Sequence, residues 1–169
     1  NEGPQGLLSS NPIHARTSKK PSPNDVPFTS PITGVPVAYP GQTGQVANRI
    51  YIGDADGQLW RIDVSGTDPL LWRVDLAWDA YSVSPGDLAT DGQQIETTPV
   101  VSSSALGDTV VTFATGGQDL LTHSDITNRA WSLLEKRNSA SKTFETYGNW
   151  FQSFGSGERV TGSMAIFDS

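Results

Sequence analysis

Residues 49–63, RIYIGDADGQLWRID, constrain the fold more than any other part of the chain. Arg49 to Gly53 alternates apolar and other residues with period two, and residues 59–64 alternate again. Such alternation puts one row of side chains on each face of an extended strand. Between the two runs stand Asp54, Ala55, Asp56 and Gly57, a turn-prone cluster whose Asp-Gly step tolerates positive φ. The segment reads as a β-hairpin. Gly66 marks the next turn, and residues 71–76 (LWRVDL) read as a third strand. Three short strands joined by tight turns make a meander, the unit from which β-propeller blades are built.

Further strand patterns lie at 35–39, 97–102 (TTPVVS), 110–115 (VVTFAT) and 164–167. Residues 129–135 (RAWSLLE) alternate poorly and fit either a strand or a short helix. Residues 77–95 read mostly as loop, with Trp78, Tyr81 and Pro85 packing against the sheet, and the polar stretch 136–149 reads as loop. Residues 1–35 are rich in Pro, Ser, Thr and Asn and include the linker-like Lys19-Lys20-Pro21-Ser22-Pro23, so an irregular arm is expected there.

A repeat extends the blade reading. Shifted by 63 positions without a gap, Pro36 falls on Pro99, Val37 on Val100, Gly44 on Gly107 and Gly53 on Gly116. A third copy begins near Ser163. Repeats of this kind mark units that cannot bury their faces alone. A spacing above the roughly 40–50 residues of a blade implies insertions, expected at 77–95 and 117–149. The expected fold is all-β: residues 36–169 form part of a β-propeller, two blades and the first strand of a third, with long loop insertions. Propellers usually have about four to eight blades. A two-blade arc leaves sheet faces and edges open, so the chain is expected to be part of a longer protein whose other blades cover them.

Bulk properties exclude some functions. The formal net charge of −7 argues against binding nucleic acid or an anionic membrane through a basic surface. No run of about 18 apolar residues exists, so no membrane span is expected. The start, NEGPQGLLSS, lacks the basic and apolar regions of a signal peptide. The absence of cysteine excludes disulfides and thiolate metal sites.

Candidate chemistry is sparse. The two histidines are His14, in the arm, and His123, whose neighbours Ser124 and Asp125 imitate a triad in order only; a triad is a spatial arrangement that adjacent residues cannot form side by side. Asp54 and Asp56 are the weak metal candidates. Counted from Asp54, the twelfth position of a helix-loop-helix calcium loop is Ser65 rather than Glu, and Gln58 replaces an acidic fifth position, so an Asx-stabilised turn is the better account. Glu96, Glu135, Glu145 and Glu158 form no recognisable carboxylate pair, and no Gly-rich loop carries a phosphate-binding lysine. No catalytic residue and no cofactor is assigned. Trp60, Trp72, Trp78, Trp131 and Trp150 fit packing between blades, with a glycan- or peptide-binding surface as the alternative.

The hairpin, Gly66 and LWRVDL resemble the repeat of quinoprotein-like propellers. Three ordered segments are similar to PilY-type proteins, the type IV pilus tip and biogenesis factors: NRIYIGDADGQLWRIDVSG, TTPVVSS followed by VVTFATGGQDL, and GERVTGSMAIF. The resemblance covers residues 36–167. It implies a blade motif carried by Gly53, Asp54, Gly57, Trp60, Asp63, Gly116 and Gly162. It also implies a non-enzymatic module of the pilus tip, exported through the periplasm to the cell surface. There it would support pilus assembly, adhesion and twitching motility with minor pilins and the remaining blades of the same protein. Many members carry an Asp-rich calcium loop between the first two strands of this blade. Residues 40–45 here contain no carboxylate, which leaves calcium to other parts of a full-length protein. A quinoprotein dehydrogenase is the enzymatic alternative and would require a bound quinone.

Overall fold

The computed structural model describes residue 28 and residues 30–41, 43–82, 92–118, 127–141 and 143–166. Among these residues, eight strands form two four-stranded antiparallel sheets. The first sheet contains β1 (Val37–Tyr39), β2 (Arg49–Gly53), β3 (Gln58–Asp63) and β4 (Arg73–Asp79). The second contains β5 (Val100–Ser103), β6 (Thr109–Ala114), β7 (Arg129–Arg137) and β8 (Phe144–Ser153). Each runs in chain order, β1-β2-β3-β4 and β5-β6-β7-β8, as a meander of neighbouring hairpins. The expected all-β class and the opening hairpin are present. Among the described residues no helix is long and apolar enough to cross a membrane.

Four expectations are corrected. Residues 136–149 are not a loop: β7 continues to Arg137 and β8 starts at Phe144, leaving a tight connection around Asn138. The Asn138 side chain accepts from the amides of Ala140 and Ser141, which turns the chain back within a few residues. The polar residues that resemble a loop are the outward half of two half-buried strands. Of the two alternatives for residues 129–135, the strand is the one formed, which is a choice between readings and not a correction. The third strand of the first meander starts at Arg73 rather than at 71, because Pro69–Leu71 form a 3-10 turn capped by Asp68, whose carboxylate accepts from the Leu70 amide. It also runs on to Asp79, so Trp78 lies in a strand rather than a loop. Finally, residues 164–166 have no strand partner among the described residues. Pro85, His14, the Lys19–Pro23 stretch, the His123-Ser124-Asp125 trio and Phe167 lie outside the described residues.

The 63-residue shift holds at single points at the front of each sheet but not for the strand register: Val37 pairs with Tyr51, whereas Val100 pairs with Thr112, two residues short of the shifted position. It maps the first residue of β1 onto the first of β5, and it maps Gly44 onto Gly107, which share φ of +87° and +83° in the first hairpin. It also maps Ile32 onto Ile95, each bridged to the end of a second strand, at Asp54 and Gly116. Beyond the second strands the shift grows. Both sheets bulge between their third and fourth strands, at Leu59/Trp60 and, 73 residues on, at Ser132/Leu133. The extra residues enter in the connection from β6 to β7, so an ungapped comparison cannot register β7 and β8.

The sheets stack in the same sense, β1 over β5 and β4 over β8. Val37 and Val101 both pack on the shared core. Because successive strand residues face opposite sides, Val100, the equivalent of Val37, points away from the first sheet. Equivalent faces therefore look the same way round, and the seam joins unlike faces. Its apolar centre comprises Tyr51, Leu59, Ala77 and Trp78 from one sheet and Val111, Phe113, Trp131 and Leu133 from the other, with Ile95 between.

Candidate functional site

The seam between the sheets gathers a set of buried charges. Tyr51, Arg61 and Asp75 occupy one cross-strand row of β2, β3 and β4. Arg49 is two residues from Tyr51 and so shares its face. Into this row reaches Glu135 of β7, 3% exposed. Arg61 Nη1 donates to Glu135 Oε1 at 2.7 Å, and the Tyr51 hydroxyl donates to Oε2 at 2.6 Å. Arg49 Nη1 also pairs with Oε2. Arg61 Nη2 reaches Asp75 Oδ2 at 3.3 Å and the Phe144 carbonyl at 3.0 Å, and Nη1 reaches the Thr146 hydroxyl at 3.3 Å. The Phe144 ring lies 4.5 Å from the Arg49 guanidinium and 5.3 Å from that of Arg61.

This is a carboxylate of one sheet held by three donors of the other. Burial holds the Tyr51 phenol far above its usual range, and the neighbouring Glu135 charge pushes it further, so Tyr51 is a proton donor at any physiological pH. For Arg61, burial works against the charge, but Glu135 and Asp75 outweigh it and the guanidinium is held more firmly protonated. Ions taken out of water need partners on every side. Here the partners come from both sheets, so separating the sheets would strip Glu135 of all three donors.

Beside the charges runs an aromatic file. Trp78 meets Trp131 with ring centroids 5.2 Å apart, and Trp131 stacks on Phe151 at 4.9 Å. Trp78 is 2% exposed, which removes it from any surface ligand site. Gly53 closes the seam at its end. A Cβ there would overlap the Ile95 side chain, so the close approach requires glycine.

The Asp54 turn has a definite structure. Asp54 Oδ1 accepts from the amides of Asp56 at 3.0 Å and Gln58 at 2.9 Å, and Oδ2 accepts from Trp60 Nε1 at 2.8 Å. Burial raises the Asp54 pKa, while these donors stabilise the anion and oppose the rise. Both oxygens are engaged in fixing an Asx turn, in keeping with the residue pattern. Gly57 completes the turn at φ +80°, with the Tyr81 ring 2.7 Å from where a Cβ would sit. In the second sheet the corresponding corner is held by Thr115. Its hydroxyl sits 2.8 Å from the Tyr81 hydroxyl and accepts from the Arg129 amide at 2.9 Å.

The other candidates separate. Asp63 caps a surface turn by accepting from the Ser65 amide. Gly116, at φ +142°, lies against Arg159 and Val160, which occupy the place that Ile95 takes beside Gly53. A Cβ added at Gly162 would meet nothing within 4 Å, so no steric requirement for glycine exists there. Trp72 donates to the Gly66 carbonyl at the surface, and Trp150 is half-buried on the outer face of the second sheet. Glu96 accepts from the Gln118 amide at 2.7 Å, Glu158 from the Gly155 amide at 2.6 Å, and Glu145 from Asn138 and Tyr147. Among the described residues no three His, Cys, Asp or Glu side chains gather to hold a metal.

Sequence reasoning misses the Arg49–Arg61–Glu135 lock. A clue exists in part: Arg49 and Arg61 share the strand face of buried residues, which is an unusual place for a charge. The position of Glu135 has no local sign, because its partners lie 74 and 86 residues away. No family model, curated protein or solved structure matches the chain.

Proposed function

We propose that this chain is a non-enzymatic structural and interaction module: two successive blades of a β-propeller of the PilY type. On this reading it works at the type IV pilus tip, on the cell surface, after export through the periplasm. Its partners are further blades and minor pilins, and its role is to support pilus assembly, adhesion and twitching motility. One observation carries the blade reading: two meanders of the same strand order stack with equivalent faces pointing the same way. Two sheets packed as a sandwich would instead bring like or unrelated faces together across a closed core. Stacking in one sense can be continued by further sheets, as in radial repetition. The pilus assignment is supported by the three ordered sequence segments in residues 36–167. The polar groups at the centre are spent on fixing the seam and its turns, which suits a scaffold.

The test is co-purification. The chain, alone or within its longer polypeptide, should co-elute with a complex of minor pilins, and the Glu135→Ala variant should lose that binding together with its fold. No co-elution, combined with a visible absorbance band from a bound quinone, would replace this reading with the dehydrogenase alternative.

A further inference from the structure

The two sheets point their hairpins the same way. Strand direction alternates along each meander, so the β1–β2 and β3–β4 turns share one end of the first sheet, and the β5–β6 and β7–β8 turns share one end of the second. Those two ends coincide. The Tyr39 hydroxyl at the close of β1 lies 3.4 Å from the Ser103 hydroxyl at the close of β5. At the opposite end Ile95 joins the sheets, donating its amide to the Asp54 carbonyl and bridging to Gly116. A sheet stacked on either outer face would leave the hairpin end open.

Of the large apolar side chains exposed among the described residues, Val46, Leu70, Leu71, Trp72 and Leu106 all stand on these hairpins. The others, Ile32, Val35 and Ile166, lie before β1 or after β8. Val46 is 88% exposed and Leu106 90%, so both project from the surface. Apolar side chains gathered at one end mark a contact site, unlike the single exposed residues scattered over any surface.

Two observations say what that site meets. The first is that the tips have already satisfied their donors. The Leu70 amide donates to the Asp68 carboxylate at 2.9 Å, the Leu71 amide to the Asp68 carbonyl at 2.9 Å and the Trp72 amide to the Pro69 carbonyl at 3.1 Å. Pro69 has no N–H to satisfy, and the Trp72 indole donates to the Gly66 carbonyl at 2.9 Å. In the β5–β6 turn the Leu106 and Asp108 amides donate to the Ser104 hydroxyl, and the Gly107 amide to the Ser104 carbonyl. Backbone entering a lipid layer must bond its own donors, because the layer offers no acceptor. The second observation is charge. Residues 40–49, 63–73, 103–109 and 135–146 contain as many basic as acidic side chains, although the whole chain carries −7. The hairpin end is therefore neutral on an acidic protein, which suits an uncharged surface and not an anionic one.

We infer that the hairpin end docks on a zwitterionic lipid bilayer. The projecting tips enter the interfacial layer while the strands remain outside it. Trp72 takes the boundary position that indole rings favour, and Leu70 and Leu71 beside it go deeper.

Co-sedimentation of the purified chain with phosphatidylcholine vesicles tests this. The native chain should pellet with the vesicles, and the Leu70→Ser/Leu71→Ser variant should bind about tenfold more weakly or less. Val46→Ser and Leu106→Ser should each weaken binding as well. All four substitutions fall on exposed side chains, so the urea midpoint should stay unchanged and separate lost docking from lost fold. Vesicles should also shift tryptophan emission to shorter wavelength, and Trp72→Phe should remove that shift. Val35→Ser, at the far end of the first sheet, should bind as the native chain does. No pelleting of the native chain overturns the proposal. So does an equal loss in Val35→Ser, which would mean unspecific adhesion, and so does binding that needs phosphatidylglycerol and survives Leu70→Ser/Leu71→Ser. If vesicles leave the chain in solution while the same leucine variant abolishes co-elution with minor pilins, the hairpin end docks protein and the lipid proposal falls.

Discussion

The first sheet turns from its second to its third strand in the four residues 54–57, whereas the second uses residues 115–128 for the same step. The short turn is held from within: Asp54 binds two amides of its own hairpin and the indole of its own third strand. The described ends of the long connection are bonded to each other, through Thr115 and Arg129, and are also held from outside. Thr115 leans on Tyr81, which follows the first sheet, and Arg129 donates to the Ala80 carbonyl. Glu135, farther along β7, is satisfied by donors that include Arg49, Tyr51 and Arg61 of the first sheet. The first sheet is therefore largely self-organised, and the second is organised by its neighbour. A buried hydroxyl or carboxylate works equally well in either setting, provided that its partners are fixed.

The strongest way to break this asymmetry is Glu135→Ala. It leaves two arginines buried without their main counter-charge and should cost about 3–5 kcal/mol, seen as a single loss of both sheets in urea unfolding. If the two sheets unfold in separate steps, the seam is not the common element. Asp54→Ala should cost about 1–3 kcal/mol by orphaning buried donors. Hydrogen exchange should show that loss concentrated in β2 and β3, because the damage is local. Alkaline pH tests the seam through Tyr51. The unfolded phenol ionises near pH 10 while the folded one keeps its proton, so stability is intact below that pH and falls as pH rises above it, by up to about 1.4 kcal/mol per pH unit. A pH titration of the urea midpoint should show that slope, and Tyr51→Phe should flatten it. Tyr81→Phe should cost about 1 kcal/mol, with faster exchange in β6 and β7 rather than in the hairpin that Tyr81 adjoins. Smallest of all, Gly162→Ala should change stability by less than about 0.5 kcal/mol, since nothing surrounds it. A larger change would show that glycine is needed at that position.

Legibility follows sequence distance. β2 and the turn after it are readable because alternation, Asp-Gly and a following aromatic all act within a few residues. β5 is readable as a strand too, although the pattern runs from 97 and the strand itself starts at Val100. β8 is unreadable for two reasons. Its residues 144–149, FETYGN, carry polar groups on the outer face, and the extra residues before β7 move it out of the repeat. Trp78 reads as a loop residue because its strand continues past a bulge, which breaks the alternation at Ala77.

By itself, then, the sequence determined that this chain makes antiparallel hairpins, where the first of them turns, and that a unit recurs after 63 residues. These are local properties, governed by the two-residue period of a strand and by which residues tolerate a tight turn. Only the tertiary structure decided which faces meet, and that Arg49, Arg61 and Glu135 form one lock. A charge on a strand face is neutral information until something packs on it; burial makes the partner obligatory, and the partner here is supplied by the other sheet.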